Sequence, residues 1–171
     1  MSAMRKEALL RVLRLQVALA EFPVVDVSEV RIALERSAVI AACRDVDDAT
    51  LADIRAALDA MRGAEDPTSF NDFDTRFHVL VAAAGHNELA TDLTIAIRES
   101  LRRPILGAEK EMDDWPGFRR AALAQHERIY SALADRDATA AADSMEEHIR
   151  ATYAILPPRE LAADASARQA K

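Results

Sequence analysis

FNDFDTRFHVLVAAAGHNELA, residues 70–90, reads as one helix, its end, and the start of the next. The first helix begins near Pro67 and runs to Gly85, placed as a C′ glycine. Asn87 then opens another. Within the first helix Asp74 and His78 stand four residues apart, so the carboxylate and the imidazole lie one above the other. The surrounding residues are mostly apolar, and an acid and a histidine on such a face call for a partner.

The flanking sequence continues in the same style. A helix over 3–20 carries Leu10, Leu13 and Val17 on one side and ends at Phe22-Pro23. Asp26 or Ser28 caps a second helix through about Cys43, with Val27, Val30, Leu34, Ala38 and Ala41 at helical spacing. Asp47 or Asp48 opens a third, with Leu51, Ile54, Leu58 and Met61 inward and Gly63 at its end. The helix opened by Asn87 extends to about Lys110, and Pro104 is expected to kink or loosen it. KEMDDWPG, 110–117, reads as a loop in which Trp115 is either packing or a lid. Helices over 118–134 and 138–156 follow, and Pro157-Pro158 stops the last. No period-two strand pattern, internal repeat or glycine-rich phosphate loop interrupts this series. The expected fold is all-α, an antiparallel bundle of six to seven helices.

Composition agrees. Half of the 171 residues are hydrophobic, enough for one domain with a real core, and only four glycines and six prolines break them. The net charge of −7 repels phosphate backbones, so the polypeptide alone is a poor nucleic-acid binder. A single cysteine, Cys43, rules out an intrachain disulfide and fits a reducing cytoplasm. No apolar run approaches the roughly 20 residues that span a bilayer. The basic N-terminal segment, broken by Arg11, Arg14 and Gln16, reads as an amphipathic helix and not as a signal peptide.

Three of the four histidines share a face with apolar residues. His126 goes with Ala122, Ile129, Tyr130 and Leu133, His148 with Ala141, Met145, Thr152 and Ile155, and His78 with Asp74 and Val81. His86, between Gly85 and Asn87, is expected in solvent. Two readings of the inward set stay open. Each imidazole finds its own hydrogen-bond partner in the core, or the three histidines and Asp74 share a divalent cation. Glu-x-x-His of di-iron bundles and His-Glu-x-x-His of zinc proteases are both absent.

These residues carry a resemblance. EVRIALERSAVIAACRDVDDATLADIRAALDAM (29–61), FNDFDTRFHVLVAAAGHNELA (70–90) and QHERIYSALADRDATAAADSMEEHI (125–149) resemble the C-terminal effector-binding domain of GntR-type transcriptional regulators of the FadR class, the FCD domain. The spacings of 4, 48 and 22 residues between Asp74, His78, His126 and His148 match its metal-binding members. The resemblance covers about 26–156, with 1–25 as a linker-like helix and 157–171 as a flexible tail. It implies a metal held by Asp74, His78, His126 and His148 in a central cavity. Zinc is the first expectation, with nickel, manganese or iron as alternatives. It implies a small organic acid as effector, with Arg31 as a guanidinium clamp on its carboxylate. Against the clamp stands a surface ion pair of Arg31 with Glu35. Arg102, Ser100 and Tyr130 are further effector-binding candidates, and Arg103 beside Arg102 is another residue for the cavity or for solvent.

The function expected is ligand sensing by a homodimer that controls a winged helix-turn-helix head. Residues 1–25 are too few for such a head, so DNA is reached only through a domain absent from this sequence. The alternative is a metal-dependent hydrolase or lyase acting on a small carboxylic acid. The inward faces are expected to offer it no further glutamate, lysine or histidine as a general base.

Overall fold

The computed structural model describes residues 11–12 and 24–155. They form an all-α bundle: α1 (Val24–Asp45), α2 (Asp48–Gly63), α3 (Pro67–Ala84), α4 (Glu88–Lys110), α5 (Trp115–Ala134) and α6 (Ala138–Tyr153). Arg11 and Val12 are helical. The rest of the helix expected over 3–20, and the stop and tail over 157–171, lie outside the described residues.

Local chemistry sets nearly every helix start. Asp47, Asp66, Asn87, Asp114 and Asp137 each precede a helix, and each side chain accepts a first-turn backbone N–H. An oxygen there satisfies a donor that the helix itself leaves orphaned, worth about 1 kcal/mol per cap. Pro67 sits just inside α3, where its missing N–H costs nothing.

Three boundaries differ from the sequence reading. α1 begins at Val24, so Asp26 lies in its first turn, and the Ser28 hydroxyl donates to the Val25 carbonyl at 2.7 Å instead of capping. α5 begins at Trp115 because Asp114, not a later residue, is the cap, accepting from Gly117 N–H at 2.9 Å. Trp115 therefore stands on a helix and packs edge-on against Phe70, centroids 5.3 Å apart. α6 ends at Tyr153. α4 runs unbroken through Pro104.

Gly85 also plays a different part from the one expected. Its φ is −77°, and the left-handed residue is His86, at 54°. What demands glycine is α1: a Cβ at position 85 would lie 2.8 Å from the Ala38 carbonyl oxygen. The glycine lets the end of α3 touch the backbone of α1.

α1 packs on α6, α3 and α4. α2 packs on α3 and α5, and α5 packs on α6. The interior is filled by Ile54, Leu58, Met61, Phe70, Phe77, Ile129, Leu133, Met145 and Ile149. Burying each such side chain stabilises the fold by about 1.5–3 kcal/mol. Arg136, in the connection between α5 and α6, donates to the carbonyls of Arg44 and Val46 and so closes the C-terminal end of α1.

The inward stripe of α1 was only partly foreseen. Val27 and Ala38 are buried, but Val30 is 52% exposed, while Arg31 and Glu35 are 2% exposed each. Two charged residues take interior positions that apolar periodicity assigns to neighbours, because their partners lie inside the bundle.

Candidate metal centre

α3, α5 and α6 converge at one level of the bundle. α3 brings Asp74 and His78, α5 brings His126, and α6 brings His148. One ligand atom from each of the four lies within 4.8 Å of all the others. The rings pack together, with centroids 4.2 Å apart for His126–His148, 5.0 Å for His78–His148 and 5.3 Å for His78–His126. All three histidines are buried. Phe77 meets the His126 ring edge-on at 4.9 Å and walls the cluster on the α3 side.

Hydrogen bonds fix which nitrogen of each ring carries the proton. His126 Nδ1 faces the Ala122 carbonyl at 2.8 Å, and His148 Nδ1 faces Gln125 Oε1 at 3.0 Å. His78 Nδ1 bonds Glu35 Oε2. Carbonyl, amide and ionised carboxylate oxygens accept and do not donate, so in each ring Nδ1–H is the donor. Nε2 is left with a bare lone pair. Those three Nε2 atoms are buried without a hydrogen-bond partner. They surround Asp74 Oδ1 at 2.9 Å (His126), 3.6 Å (His78) and 3.7 Å (His148). The close approach of His126 Nε2 lacks hydrogen-bond alignment, and two lone pairs facing each other repel.

Four electron-pair donors that point at one another fit a divalent cation. Donors around a tetrahedral ion with bonds of about 2.0–2.1 Å are separated by about 3.3 Å, close to the spacings found. Three neutral imidazoles and one carboxylate suit a first-row transition ion. The Nδ1 contacts are the outer partners that hold metal-binding imidazoles in one tautomer and one orientation.

The electrostatics favour the ligating forms. Burial depresses the His78 pKa, and Arg98 adds to that. Burial holds His148 well below the usual histidine range, with His126 and His78 reinforcing it. Burial alone would raise Asp74, but the neighbouring Arg98 guanidinium outweighs it and holds the carboxyl well below the usual carboxylate range. The Arg98 guanidinium bonds Asp74 Oδ2 and leaves Oδ1 turned to the histidines.

A second row of charge stands behind the first. Arg31 Nε donates to Glu35 Oε1 at 2.6 Å, and Arg98 Nη1 is 3.9 Å from the same oxygen. The Arg31–Glu35 pair weighed as a surface contact exists, but in the interior. Arg31 Nη2 and Arg98 Nε and Nη1 are buried without hydrogen-bond partners. The remaining effector candidates stand elsewhere. Arg102 pairs with Asp72, both side chains largely exposed, and Arg103 is exposed. Ser100 Oγ donates to the Ala96 carbonyl of its own helix. The Tyr130 ring lies under Arg55 at 5.3 Å. The α4 arginine that faces the cluster is Arg98, one turn before Arg102 and on the stripe of Thr94, Leu101 and Ile105. That spacing was the available signal. The expectation of no further inward glutamate is also corrected, since Glu35 and Glu109 are both buried. His86 is exposed, as expected.

Among known protein families, the FCD domain matches residues 26–151. The structure of Streptococcus agalactiae GntR is similar, with a TM-score of 0.62 and 22% identity over 74% of this chain. The likeness extends to the fold, and this chain spans 56% of that protein's length. No curated protein matches the chain.

Proposed function

The chain belongs to the FCD domain family, and from that premise we propose that it is the ligand-sensing domain of a GntR-type transcriptional regulator, holding a divalent metal on Asp74, His78, His126 and His148 and reading a small organic acid. The observation that carries the reading is the convergence of three proton-free, buried Nε2 atoms on one carboxylate oxygen. Burying four such groups with no common partner is costly, and a cation removes that cost. Zinc is the first candidate, followed by nickel, manganese and iron.

When loaded, the site supplies a Lewis-acidic position for an anionic oxygen. The residues of this chain do the rest. Gln125, Ala122 and Glu35 hold the imidazoles, Arg98 orients Asp74, and Arg31 and Arg98 direct unpartnered N–H groups towards an acid. Through Glu35 the first helix of the domain touches the site directly. An effector that binds two arrangements of α1 unequally would change the DNA affinity of a winged helix-turn-helix head joined ahead of it. A homodimer in the cytoplasm is the setting proposed, and no helix among the described residues is long and apolar enough to cross a membrane.

Elemental analysis of the purified chain, followed by thermal shift against a panel of small carboxylic acids, tests the proposal. The expected result is one tightly held transition metal per chain and selective stabilisation by an acid, lost on chelation. No metal before or after reconstitution would make the cluster a hydrogen-bond network. Steady turnover of an acid from the panel would favour a metal-dependent hydrolase or lyase.

A further inference from the structure

α1 has three sides, and two of them are accounted for. Val27, Arg31, Glu35, Ala38 and Ala42 face the interior. Glu29 pairs with Arg150 of α6, and Arg36 pairs with Asp143 and Glu146 of the same helix. The third side carries Val30, Ala33, Leu34, Ser37 and Ala41 at helical spacing. Val30 is 52% exposed, Ala33 and Ser37 are exposed, and Leu34 and Ala41 are partly so. Between Asp26 and Arg44 no charged residue stands on this side. A helix face turned to water is normally charged or polar, and about three turns without a charge call for a cover. The large hydrophobic residues exposed among the described residues are Val12, Val25, Val30 and Leu89, so this uncovered surface gathers at the N-terminal end.

The chain itself supplies a matching face. In residues 1–23, ahead of α1, the sequence sets Leu10, Leu13 and Val17 on one side of a helical pattern. Arg11 and Val12 are helical, and Val12, on the other side from that stripe, is 54% exposed. Phe22-Pro23 breaks the pattern, since a residue before proline is disfavoured in helical geometry. α1 opens at the next residue, Val24. Two helices joined by so short a connection lie side by side and antiparallel. Residues equally far from the break then come level, so Leu10 meets Leu34 and Leu13 falls within one residue of Val30. The stripes Leu10 to Val17 and Val30 to Ser37 each cover about 10 Å of helix axis. Charge agrees with the fit. The segment carries Arg5, Lys6, Arg11 and Arg14 against Glu7 and Glu21, in a chain of net charge −7. Asp26 is exposed on the same side of α1 as Val30.

We infer that the outer face of α1 is covered by the chain's own N-terminal segment, which folds back at Phe22-Pro23 and seats Leu10, Leu13 and Val17 along Val30, Leu34 and Ser37. The small side chains of Ala33 and Ser37 leave room for the leucines. The inference depends on neither metal nor acid. Its consequence is a line of contact through one helix: Glu35 of α1 bonds His78 inside, and the segment lies on the opposite side. Any domain joined ahead of the segment is thereby tied to the helix that touches the histidine cluster.

Thiol cross-linking of the full chain tests it, in a Cys43→Ala background that removes the one native cysteine. A short bis-maleimide suits packed helices, whose axes lie about 8–10 Å apart. Leu13→Cys with Val30→Cys should give a link within one chain, read by intact mass as one chain plus one linker. Leu13→Cys with Leu89→Cys, which sets the second thiol on α4, should not link. Hydrogen exchange gives an independent reading. Amides of residues 8–18 should exchange at least about 10-fold more slowly than in a free peptide of residues 1–23, because an isolated helix of that length is marginal in water. Leu13→Asp and Val30→Asp should each remove most of that protection, and Val30 is exposed, so its replacement leaves the bundle folded. A link between two chains assigns the face to a second copy and overturns the inference. Peptide-like exchange in the parent, or protection that Val30→Asp leaves untouched, overturns it as well.

Discussion

Asp74 and Glu109 are two carboxyl groups inside one bundle, and they end in opposite states. Burial pushes both upwards. At Glu109 little opposes it, and with the added field of Asp74 the group is raised from 4.5 to about 8. It hydrogen-bonds Asn71 and keeps Oε2 unpartnered. At Asp74 the Arg98 guanidinium reverses the outcome, and the carboxyl stays ionised. The same functional group is a neutral acid in one place and an anionic ligand in the other. Burial sets the size of the stake, and the nearest cation decides the sign.

The strongest way to break this contrast is to remove the cation. Arg98→Met should destabilise the metal-free protein by about 3–5 kcal/mol, the cost of stranding one member of a buried ion pair. Urea denaturation measures it. A loss below about 1 kcal/mol would mean that Arg98 is not what keeps Asp74 charged.

The next effect concerns the ligands. Metal at 100 times its Kd should stabilise the parent by about 2.7 kcal/mol. His126→Ala and His148→Ala should receive none of that and retain no metal on elemental analysis. Retention of metal by both variants would reassign the ligands.

A smaller effect sharpens the other half of the comparison. Unfolded, Glu109 ionises near its ordinary value of 4.5; folded, it keeps its proton to about 8. Between those values the folded state binds more protons, so stability falls as pH rises, with a ceiling of about 1.4 kcal/mol per pH unit for this group. Glu109→Gln carries no such proton. It should flatten the slope and recover about 1–3 kcal/mol at pH 8 relative to pH 5. An unchanged slope in denaturation curves at the two pH values would place the proton elsewhere.

The smallest expected change is the control. His86 is exposed, with φ of 54°, which glycine adopts freely. His86→Gly should leave metal content unaltered and stability within about 0.5–1 kcal/mol of the parent.

Much of the architecture was legible before any coordinates, because its causes are local. Asp47 and Asn87 were legible as helix starts and cap their helices, whereas Asp66, Asp114 and Asp137 cap three more that the sequence reading located by their apolar spacing and bounding residues. Asp74 and His78 share a face through helical periodicity alone, and His126 and His148 each sit on an inward stripe for the same reason. Even so, two caps were misplaced. Ser28 turned inward to bond Val25, and Asp114 was hidden inside an apparent loop.

What tertiary structure alone decided was the fate of the charged residues. Glu35 and Glu109 were not read as interior residues, and Arg98 was passed over despite its place on an apolar stripe, since a lone charge defaults to water. Arg31 pairs with Glu35 inside α1, but the bonds that hold this pair and Arg98 in the interior come from other helices, His78 of α3 to Glu35 and Arg98 of α4 to Asp74. The sequence by itself determined where the helices are and which way their histidines face, since both depend on neighbours within a turn. Whether a buried carboxyl is an ion or an acid depended on groups 24 to 43 residues away in the chain, which only the folded bundle puts beside it.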